Sequence, residues 1–287
     1  MILVIGGTGT VGRLVLEGIA AADFETRALV RNLDKARALK LATVQFVQGD
    51  LADPASLAPA LESIEKVVLI SSFTPDMVRL QTNLVEAAAR APSRPRIVKL
   101  SGLGTGPEAP TTMGRWHGAV ESAIQASGLP WTFVRPAYFM QNLLTMAGGI
   151  RKTGTIALPA AGAAVAQIDA RDIAAVIVRV LVEAGHEGKG YDLTGPDAIT
   201  WVEVAEILSA VADRPIRYDP IAPEEFKRRL EGAGMPAWLA DALNELFAQF
   251  RAGASMGTTD HVRRITNQPP RSFSVFARDH AHAFRAG

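Results

Sequence analysis

Three glycines close to the amino end of the chain have the spacing of a turn that binds phosphates. Gly6, Gly9 and Gly12 follow the apolar run Ile2–Ile5 and precede a stretch with helical periodicity. The first glycine permits a tight turn, the second lets the backbone approach a pyrophosphate, and the third allows helix and strand to pack closely. This order predicts a dinucleotide site at the helix N-terminus, against the alternative of a glycine-rich turn without a ligand. The predicted contacts are Gly6, Thr8, Gly9, Thr10, Val11 and Gly12.

Two cations follow at the end of the second predicted strand, where an NAD-binding protein usually has an acidic residue for the ribose 2′-hydroxyl. The chain has Arg31 and, four residues later, Lys35. If a helix starts near Asn32, the two side chains share one face, where a guanidinium can bind a 2′-phosphate bidentately. The pair therefore predicts NADPH rather than NADH as the cofactor. The alternative is two solvated charges at the start of a helix.

One histidine has the properties of a proton donor. His117 lies in the predicted helix 113–127, and a histidine titrates near neutrality, so it can deliver a proton after hydride transfer. Glu121 is one helical turn further on and is expected to orient the ring or raise its pKa. The alternative is an exposed helical pair that contributes almost nothing to stability.

Buried strands alternate with helices through the first half of the chain, which predicts a doubly wound parallel sheet. Ligands bind at the carboxyl ends of such strands. Asp50 follows the third strand and either accepts a hydrogen bond from the adenine amino group or is a turn residue. The further cofactor contacts predicted at strand ends are Asp50, Leu51, Ser71, Ser72, Phe73 and Ser101.

The second half of the chain has a less regular pattern. We predict a helix over 138–147, a Gly- and Ala-rich loop up to 164, a lone edge strand at 215–218, and helices at 201–212, 223–232, 236–252 and 272–284. The fold class is thus α/β, a Rossmann-type sheet with a smaller, mostly helical C-terminal lobe. Residues 1–147 form the NADP-binding domain, to which 165–195 return. Residues 148–164 and 196–287 form a substrate-side loop and the helical lobe.

The composition excludes several classes of function. The 287 residues carry 30 basic and 29 acidic side chains without a basic block, which argues against binding to nucleic acid. The absence of cysteine removes disulfides and thiolate metal sites, and we expect no metal. No apolar run is long enough to span a bilayer, and Met1 leaves no room for a signal peptide before the first strand. We expect a cytoplasmic protein that makes no membrane contact, and its assembly as a homo-oligomer stays open.

Several motifs together resemble the NmrA-like branch of the atypical short-chain dehydrogenase/reductases over nearly the whole chain. They are Gly6-Gly7-Thr8-Gly9-Thr10-Val11-Gly12, Val30-Arg31-Asn32, Gly49-Asp50, Gly128-Leu129-Pro130-Trp131-Thr132, Arg135-Pro136-Ala137-Tyr138-Phe139-Met140-Gln141-Asn142, Asp169-Ala170-Arg171-Asp172-Ile173-Ala174 and Pro269-Pro270-Arg271-Ser272-Phe273. The resemblance is strongest to bacterial quinone oxidoreductases, triphenylmethane dye reductases and azoreductases. It implies NADP(H) without a flavin and hydride transfer to a small, flat aromatic substrate. Other members bind NADP as redox sensors and act through a protein partner, which is the alternative.

The resemblance also bears on the catalytic residues. The Tyr-x-x-x-Lys pair of the wider superfamily is absent, because none of the three tyrosines is followed four residues later by lysine. Instead, His117 takes the position of the catalytic lysine in isoflavone-reductase-like enzymes. Tyr138 is expected beside the nicotinamide, where it stacks on the acceptor or lends its hydroxyl. The alternative for Tyr138 is core packing, and core packing is also expected for Trp201, Trp238 and Phe247.

Overall fold

The strands of the protein form one large sheet and two small ones, in a computed structural model that describes residues 1–285. In chain order they are β1 (Ile2–Ile5), β2 (Thr26–Val30), β3 (Val44–Gln48), β4 (Lys66–Leu69), β5 (Arg96–Leu100), β6 (Trp131–Pro136), β7 (Thr155–Leu158), β8 (Ala164–Val165), β9 (Lys189–Leu193), β10 (Ile199–Thr200) and β11 (Arg217–Pro220). Seven of them form the large sheet in the order β3-β2-β1-β4-β5-β6-β9. All its neighbouring strands are parallel, and the strand order reverses between β1 and β4. The predicted doubly wound sheet is confirmed, and its reversal point is where such sheets bind ligands.

The helices lie on both faces of this sheet and in the C-terminal half. They are α1 (Thr10–Ala21), α2 (Leu33–Arg37), α3 (Leu57–Ala60), α4 (Met77–Arg90), α5 (Thr112–Ala126), α6 (Asn142–Thr153), α7 (Ala170–Val182), α8 (Trp201–Ala212), α9 (Pro223–Gly232), α10 (Ala237–Arg251), α11 (His261–Thr266) and α12 (Phe273–Asp279). Apolar side chains of α1 and α7 pack in one core beneath the sheet. Those of α3, α4 and α5 form a second core on its other face.

A third core lies in the C-terminal half and belongs to the helical lobe. It contains buried side chains of α6, α8, α9, α10 and α12 together with β7. One segment of the predicted lobe packs elsewhere, because Val262 and Ile265 of α11 lie in the core shared by α1 and α7. The division into domains therefore stays a prediction, and residues 286–287 lie outside the described part of the chain.

The predicted Gly- and Ala-rich loop is wrong over much of its length. Helix α6 begins at Asn142, not at 138, and continues through Gly148 and Gly149 to Thr153, after which β7 follows directly. Glycine has a low helix propensity, but the buried side chains of Leu143 and Ile150 anchor the helix in the lobe core. The helix ends where Gly154 adopts the left-handed conformation, with φ 65°.

Two further predictions in this half need correction. The strand predicted as a lone edge is not alone, because β11 pairs with β7 in parallel. The helix predicted over 272–284 is interrupted: α12 ends at Asp279 and a 3₁₀ turn, Ala281–Ala283, follows. The short helix α11 has no counterpart in the prediction. Within residues 1–285, no helix combines the length and apolar character needed to cross a bilayer.

Candidate active site

The three glycines of the cofactor corner, residues 6–12, differ in what surrounds them. Gly6 has φ 77°, and a Cβ atom there would lie 2.4 Å from the Ile70 carbonyl oxygen. A Cβ atom on Gly12 would lie 2.1 Å from the Gly6 carbonyl oxygen. Both positions thus require glycine for the packing of the chain itself. At Gly9, by contrast, the nearest atom would be 3.4 Å away, so the protein leaves room there for a ligand to approach the backbone.

The N-terminus of α1 is open in a way that suits a pyrophosphate. Its N-cap residue is Gly9, and within residues 1–285 no side chain caps the helix. Five other helices are capped by side chains that accept a hydrogen bond from a first-turn N–H: Asn32, Thr111, Asp169, Thr200 and Ser272. In the described residues α3, α4, α6, α9, α10 and α11 also lack such a cap, but α1 alone among these uncapped helices follows the glycine turn after β1. Thr8, Gly9 and Thr10 are exposed, whereas the Val11 side chain is buried in the core and leaves only its backbone for a ligand. Uncapped N–H groups at the positive end of the helix dipole fit the phosphates of a dinucleotide.

The two predicted cations lie at the carboxyl end of β2. Arg31 and Lys35 are both exposed, and Asn32 Oδ1 accepts a hydrogen bond from the Lys35 N–H at 2.9 Å. In the described part of the chain, neither cation lies within ion-pair distance of a carboxylate, whereas the nearby Arg37 pairs with Asp34 at 3.5 Å. Two cations without an acidic partner at this place fit the additional phosphate of NADPH.

Asp50 has the geometry of a turn residue. Its Oδ1 accepts a hydrogen bond from the Ala52 N–H at 2.9 Å, and its own N–H donates to Ser56 Oγ at 3.0 Å. The neighbouring Leu51 carbonyl accepts a hydrogen bond from Asn83 Nδ2 at 2.8 Å. Asp50 is therefore a turn residue, which was one of its two predicted roles. Contacts of Asp50 and Leu51 with adenine stay predictions.

Beyond the reversal point, the predicted serines lie at the ends of β4 and β5. Ser71 Oγ accepts a hydrogen bond from Gln81 Nε2 at 2.7 Å, and Ser72 is exposed. Ser101 is buried, and within residues 1–285 its hydroxyl has no hydrogen-bond partner. A buried hydroxyl without a partner at the carboxyl end of a central strand suits contact with a bound ligand.

His117 lies beside these strand ends, but its partner is not the predicted one. Its Nδ1 lies 2.9 Å from Lys99 Nζ, and the Nζ group also donates to the Leu100 carbonyl at 3.0 Å. Glu121 binds Arg135 of β6 instead, through two hydrogen bonds of 2.5 and 3.0 Å. The predicted His117–Glu121 pair is thus wrong, because a bidentate guanidinium takes both carboxylate oxygens.

The pKa values of His117 and its neighbour Lys99 also differ from expectation. Burial, together with the charge of Lys99, lowers the pKa of His117 well below its ordinary value, so the ring is neutral at pH 7. The pKa of Lys99 is lowered to about 7, chiefly by burial and also by Arg135, while Glu121 acts in the opposite direction. The group that titrates near neutrality is therefore the lysine, which the sequence analysis missed. A lysine inside the apolar run of a central strand, Ile97-Val98-Lys99-Leu100, was the available signal.

Three aromatic side chains meet at one place, and we name them the aromatic cluster: Phe73, Trp116 and Trp238. The ring centroids lie 4.8 Å apart for Phe73–Trp116, 5.6 Å for Phe73–Trp238 and 6.1 Å for Trp116–Trp238. All three side chains are half-buried. Trp238 was predicted as core and belongs to none of the three cores, whereas Trp201 and Phe247 are buried in the lobe core as predicted.

Tyr138 lies at the edge of the lobe core. Its ring makes edge-on contacts with Trp201 at 5.9 Å and Phe250 at 5.6 Å between centroids. Burial raises the pKa of its hydroxyl to about 12, with a hydrogen bond to Asn142 acting in the opposite direction. These observations favour the packing alternative, and a contact with the acceptor stays a prediction. In the part of the chain that the structure describes, no cluster of His, Asp and Glu side chains could bind a metal ion.

Known proteins are similar to the chain over most or all of its length. The profile of the NmrA-like family matches residues 1–265. An NAD(P)H azoreductase of Xenophilus azovorans is 44% identical over 286 residues, which cover 100% of both chains. A solved NADPH-dependent quinone oxidoreductase from Escherichia coli, complexed with NADPH, has a TM-score of 0.89 and 27% identity and covers 97% of this chain and 99% of its own. The Citrobacter sp. triphenylmethane reductase complexed with NADP(H) has a TM-score of 0.86 and 26% identity, with coverage of 98% and 100%.

Proposed function

Because the chain belongs to the NmrA-like family, we propose that it is an NADPH-dependent, flavin-free reductase of flat aromatic acceptors such as quinones, azo dyes or triphenylmethane dyes. NADPH, when bound, supplies the hydride for such a reaction. The chain's own part is to bind the nucleotide, to position the acceptor and to provide a proton where one is needed.

The cofactor corner carries out the first of these tasks. The open N-terminus of α1 binds the pyrophosphate, and the space at Gly9 lets the backbone come close to it. Arg31 and Lys35 bind the additional phosphate and thereby favour NADPH over NADH. The nicotinamide is then expected beyond the reversal point, near Ser101 and His117.

The aromatic cluster is the observation that carries the choice of acceptor. Phe73 follows β4, Trp116 directly precedes His117 on α5, and Trp238 reaches this place from α10 of the helical lobe. A half-exposed group of three rings provides an apolar aromatic surface, which favours aromatic compounds over small hydroxy acids. The missing Tyr-x-x-x-Lys pair agrees with acceptors that take a hydride directly.

The experiment measures NADPH oxidation by the purified protein, after its flavin content is shown to be negligible by absorbance. The acceptors are a benzoquinone, an azo dye and a cationic triphenylmethane dye, and Gly9→Ala is the variant deficient in cofactor binding. Turnover with at least one acceptor, faster with NADPH than with NADH, is expected. Tight NADPH binding without turnover of any acceptor would contradict the proposal and indicate a redox sensor.

The cellular setting is a separate part of the proposal. We propose a cytoplasmic enzyme, because NADPH is available there and the 287 residues contain no cysteine that would need an oxidising compartment. Fractionation of cells that express the protein at its native level tests this location. Recovery with the membrane or secreted fraction would contradict it.

A further inference from the structure

Lys99 lies in an environment that is unusual for a lysine. It is fully buried in the centre of the sheet, where its neighbours in register are Leu69 on β4 and Phe133 on β6. Within residues 1–285, no carboxylate lies close enough to form an ion pair with its Nζ, and Glu121, whose charge acts on Lys99, binds Arg135. A buried ammonium without a carboxylate partner costs stability, and such groups occur mainly where they serve a function.

The geometry connects this ammonium to the acceptor end of the site, by which we mean the place where the nicotinamide and the acceptor are expected to meet. An ammonium group can only donate, so His117 Nδ1 accepts its hydrogen bond and the neutral ring carries its proton on Nε2. The ring atom Cδ2, which is bonded to Nε2, lies 3.6 Å from the position of a Cβ atom on Gly102, just beyond the carboxyl end of β5. The Nε2 edge of the ring therefore faces the strand ends where ligands bind.

We propose that Lys99 and His117 form a proton relay in which His117 Nε2 protonates the reduced acceptor and Lys99 returns a proton to Nδ1. The inference rests on the proposed function and deepens it. The acceptor gains a hydride from reduced nicotinamide and so takes up two electrons, while its quinone oxygen or azo nitrogen takes the Nε2 proton. The Nζ–H bond of Lys99 breaks as the Nδ1–H bond forms. After the product leaves, solvent protonates Nε2 and the Nδ1 proton returns to Nζ, which restores the ammonium and the neutral ring with its proton on Nε2.

The surrounding charges suit this role. The groups that face Lys99 are His117 and Glu121 from α5 and Arg135 from β6, and Asp192 of β9 acts on Arg135. On the β4 side the neighbour is the apolar Leu69. The pKa of Lys99 is about 7, so the lysine can lose and regain a proton near neutrality without a large free-energy cost.

The chemistry of two acceptor classes provides the first test. A quinone or an azo dye needs a proton after the hydride, whereas a cationic triphenylmethane dye becomes neutral on taking the hydride alone. We expect Lys99→Met and His117→Gln to lower kcat for quinone and azo reduction by about a hundredfold, within the usual range for general acid catalysis. The same variants should change reduction of the triphenylmethane dye by less than about threefold. Lys66→Met is the matched control, because Lys66 donates to the Leu181 carbonyl at the other end of a neighbouring strand.

The second test needs no cofactor. In the free protein, the imidazole of His117 is titrated by NMR and assigned with His117→Gln. Lys99→Met should raise the pKa of His117, because it removes a nearby positive charge, and Lys66→Met should leave it unchanged. Thermal melts establish that each variant is folded.

The outcomes distinguish a failure of the relay from a failure of the proposed function. Equal slowing of both acceptor classes, or an unchanged His117 titration in Lys99→Met, would overturn the relay while the proposed function stands. Failure of the wild type to reduce any acceptor would overturn the function and the relay together. Selective slowing of the proton-requiring acceptors, with the shifted titration, is the result expected.

Discussion

In the cofactor corner, residues 6–12 form one continuous stretch of chain and offer mainly backbone N–H groups to a ligand. The acceptor end, by contrast, uses side chains from separate elements: Phe73 after β4, Lys99 on β5, His117 on α5 and Trp238 on α10. In this corner, Gly6 and Gly12 fit at positions where larger residues would clash. The acceptor end instead keeps Lys99 in an apolar sheet and the Ser101 hydroxyl without a hydrogen-bond partner in residues 1–285. Binding of the pyrophosphate is thus expected to need only a local backbone shape, whereas the chemistry needs side chains, such as that of Lys99, whose burial costs stability.

The largest expected effect tests whether the acceptor end reduces the stability of the protein. The pKa of Lys99 falls from 10.5 in the unfolded chain to about 7, so below pH 7 both states carry the proton and burial costs the most. Between pH 7 and 10.5 the unfolded state binds more protons, so this group makes stability rise with pH. Lys99→Met should therefore be more stable than wild type, by on the order of several kcal/mol at pH 6.5, with the difference shrinking towards pH 10. Urea denaturation of both proteins across this range measures it, and a difference independent of pH would contradict the buried, shifted lysine.

The next prediction concerns the cofactor corner, where ligand binding should be lost without loss of stability. Gly9→Ala places a methyl group where the nearest protein atom is 3.4 Å away, so the fold tolerates it but a bound pyrophosphate does not. We expect NADPH affinity to fall at least about tenfold, or 1.4 kcal/mol, with an unchanged melting temperature. Calorimetric titration measures the affinity. Gly148→Ala in α6, where a Cβ atom would meet nothing within 4 Å among the described residues, is the control and should bind NADPH normally.

Loss of the Arg31 side chain should have an effect of similar size, but on the affinity for NADPH only. Arg31→Ala should lower the affinity for NADPH by about tenfold or more, since hydrogen bonds to charged groups contribute about 1.5–3 kcal/mol. Affinity for NADH, which lacks the additional phosphate, should not change. Arg37→Ala is the control, because Arg37 already pairs with Asp34. Equal losses for both cofactors would show that Arg31 does not contact that phosphate.

The same contrast explains what the sequence could predict. The glycine spacing and the alternation of strands and helices are local signals, and the alternation correctly predicted the doubly wound parallel sheet. The partner of His117 is not a local signal: Glu121 is one turn away, but its carboxylate turns to Arg135 on β6. The second half of α6 also escaped prediction, because tertiary packing of Leu143 and Ile150 outweighs the low helix propensity of Gly148 and Gly149.

The smallest expected effect is at the aromatic cluster. Trp238→Leu removes one of three rings, and an aromatic pair contributes about 0.5–1.5 kcal/mol beyond its buried area. The KM for a quinone or azo dye should therefore rise about two- to tenfold, while affinity for NADPH stays the same. Steady-state kinetics with saturating NADPH measure the change. Trp131→Leu, which removes a ring stacked on Phe133 away from the cluster, should leave KM unaltered.

The central claim is that one site joins a phosphate-binding corner to an aromatic acceptor end across the reversal point of the sheet. A crystal structure of the protein with NADPH tests it most directly. We predict the pyrophosphate at the N-terminus of α1, the additional phosphate at Arg31 and Lys35, and the nicotinamide on the side of Ser101 and His117. A nucleotide bound elsewhere, or with its adenosine end turned away from Arg31, would contradict the account.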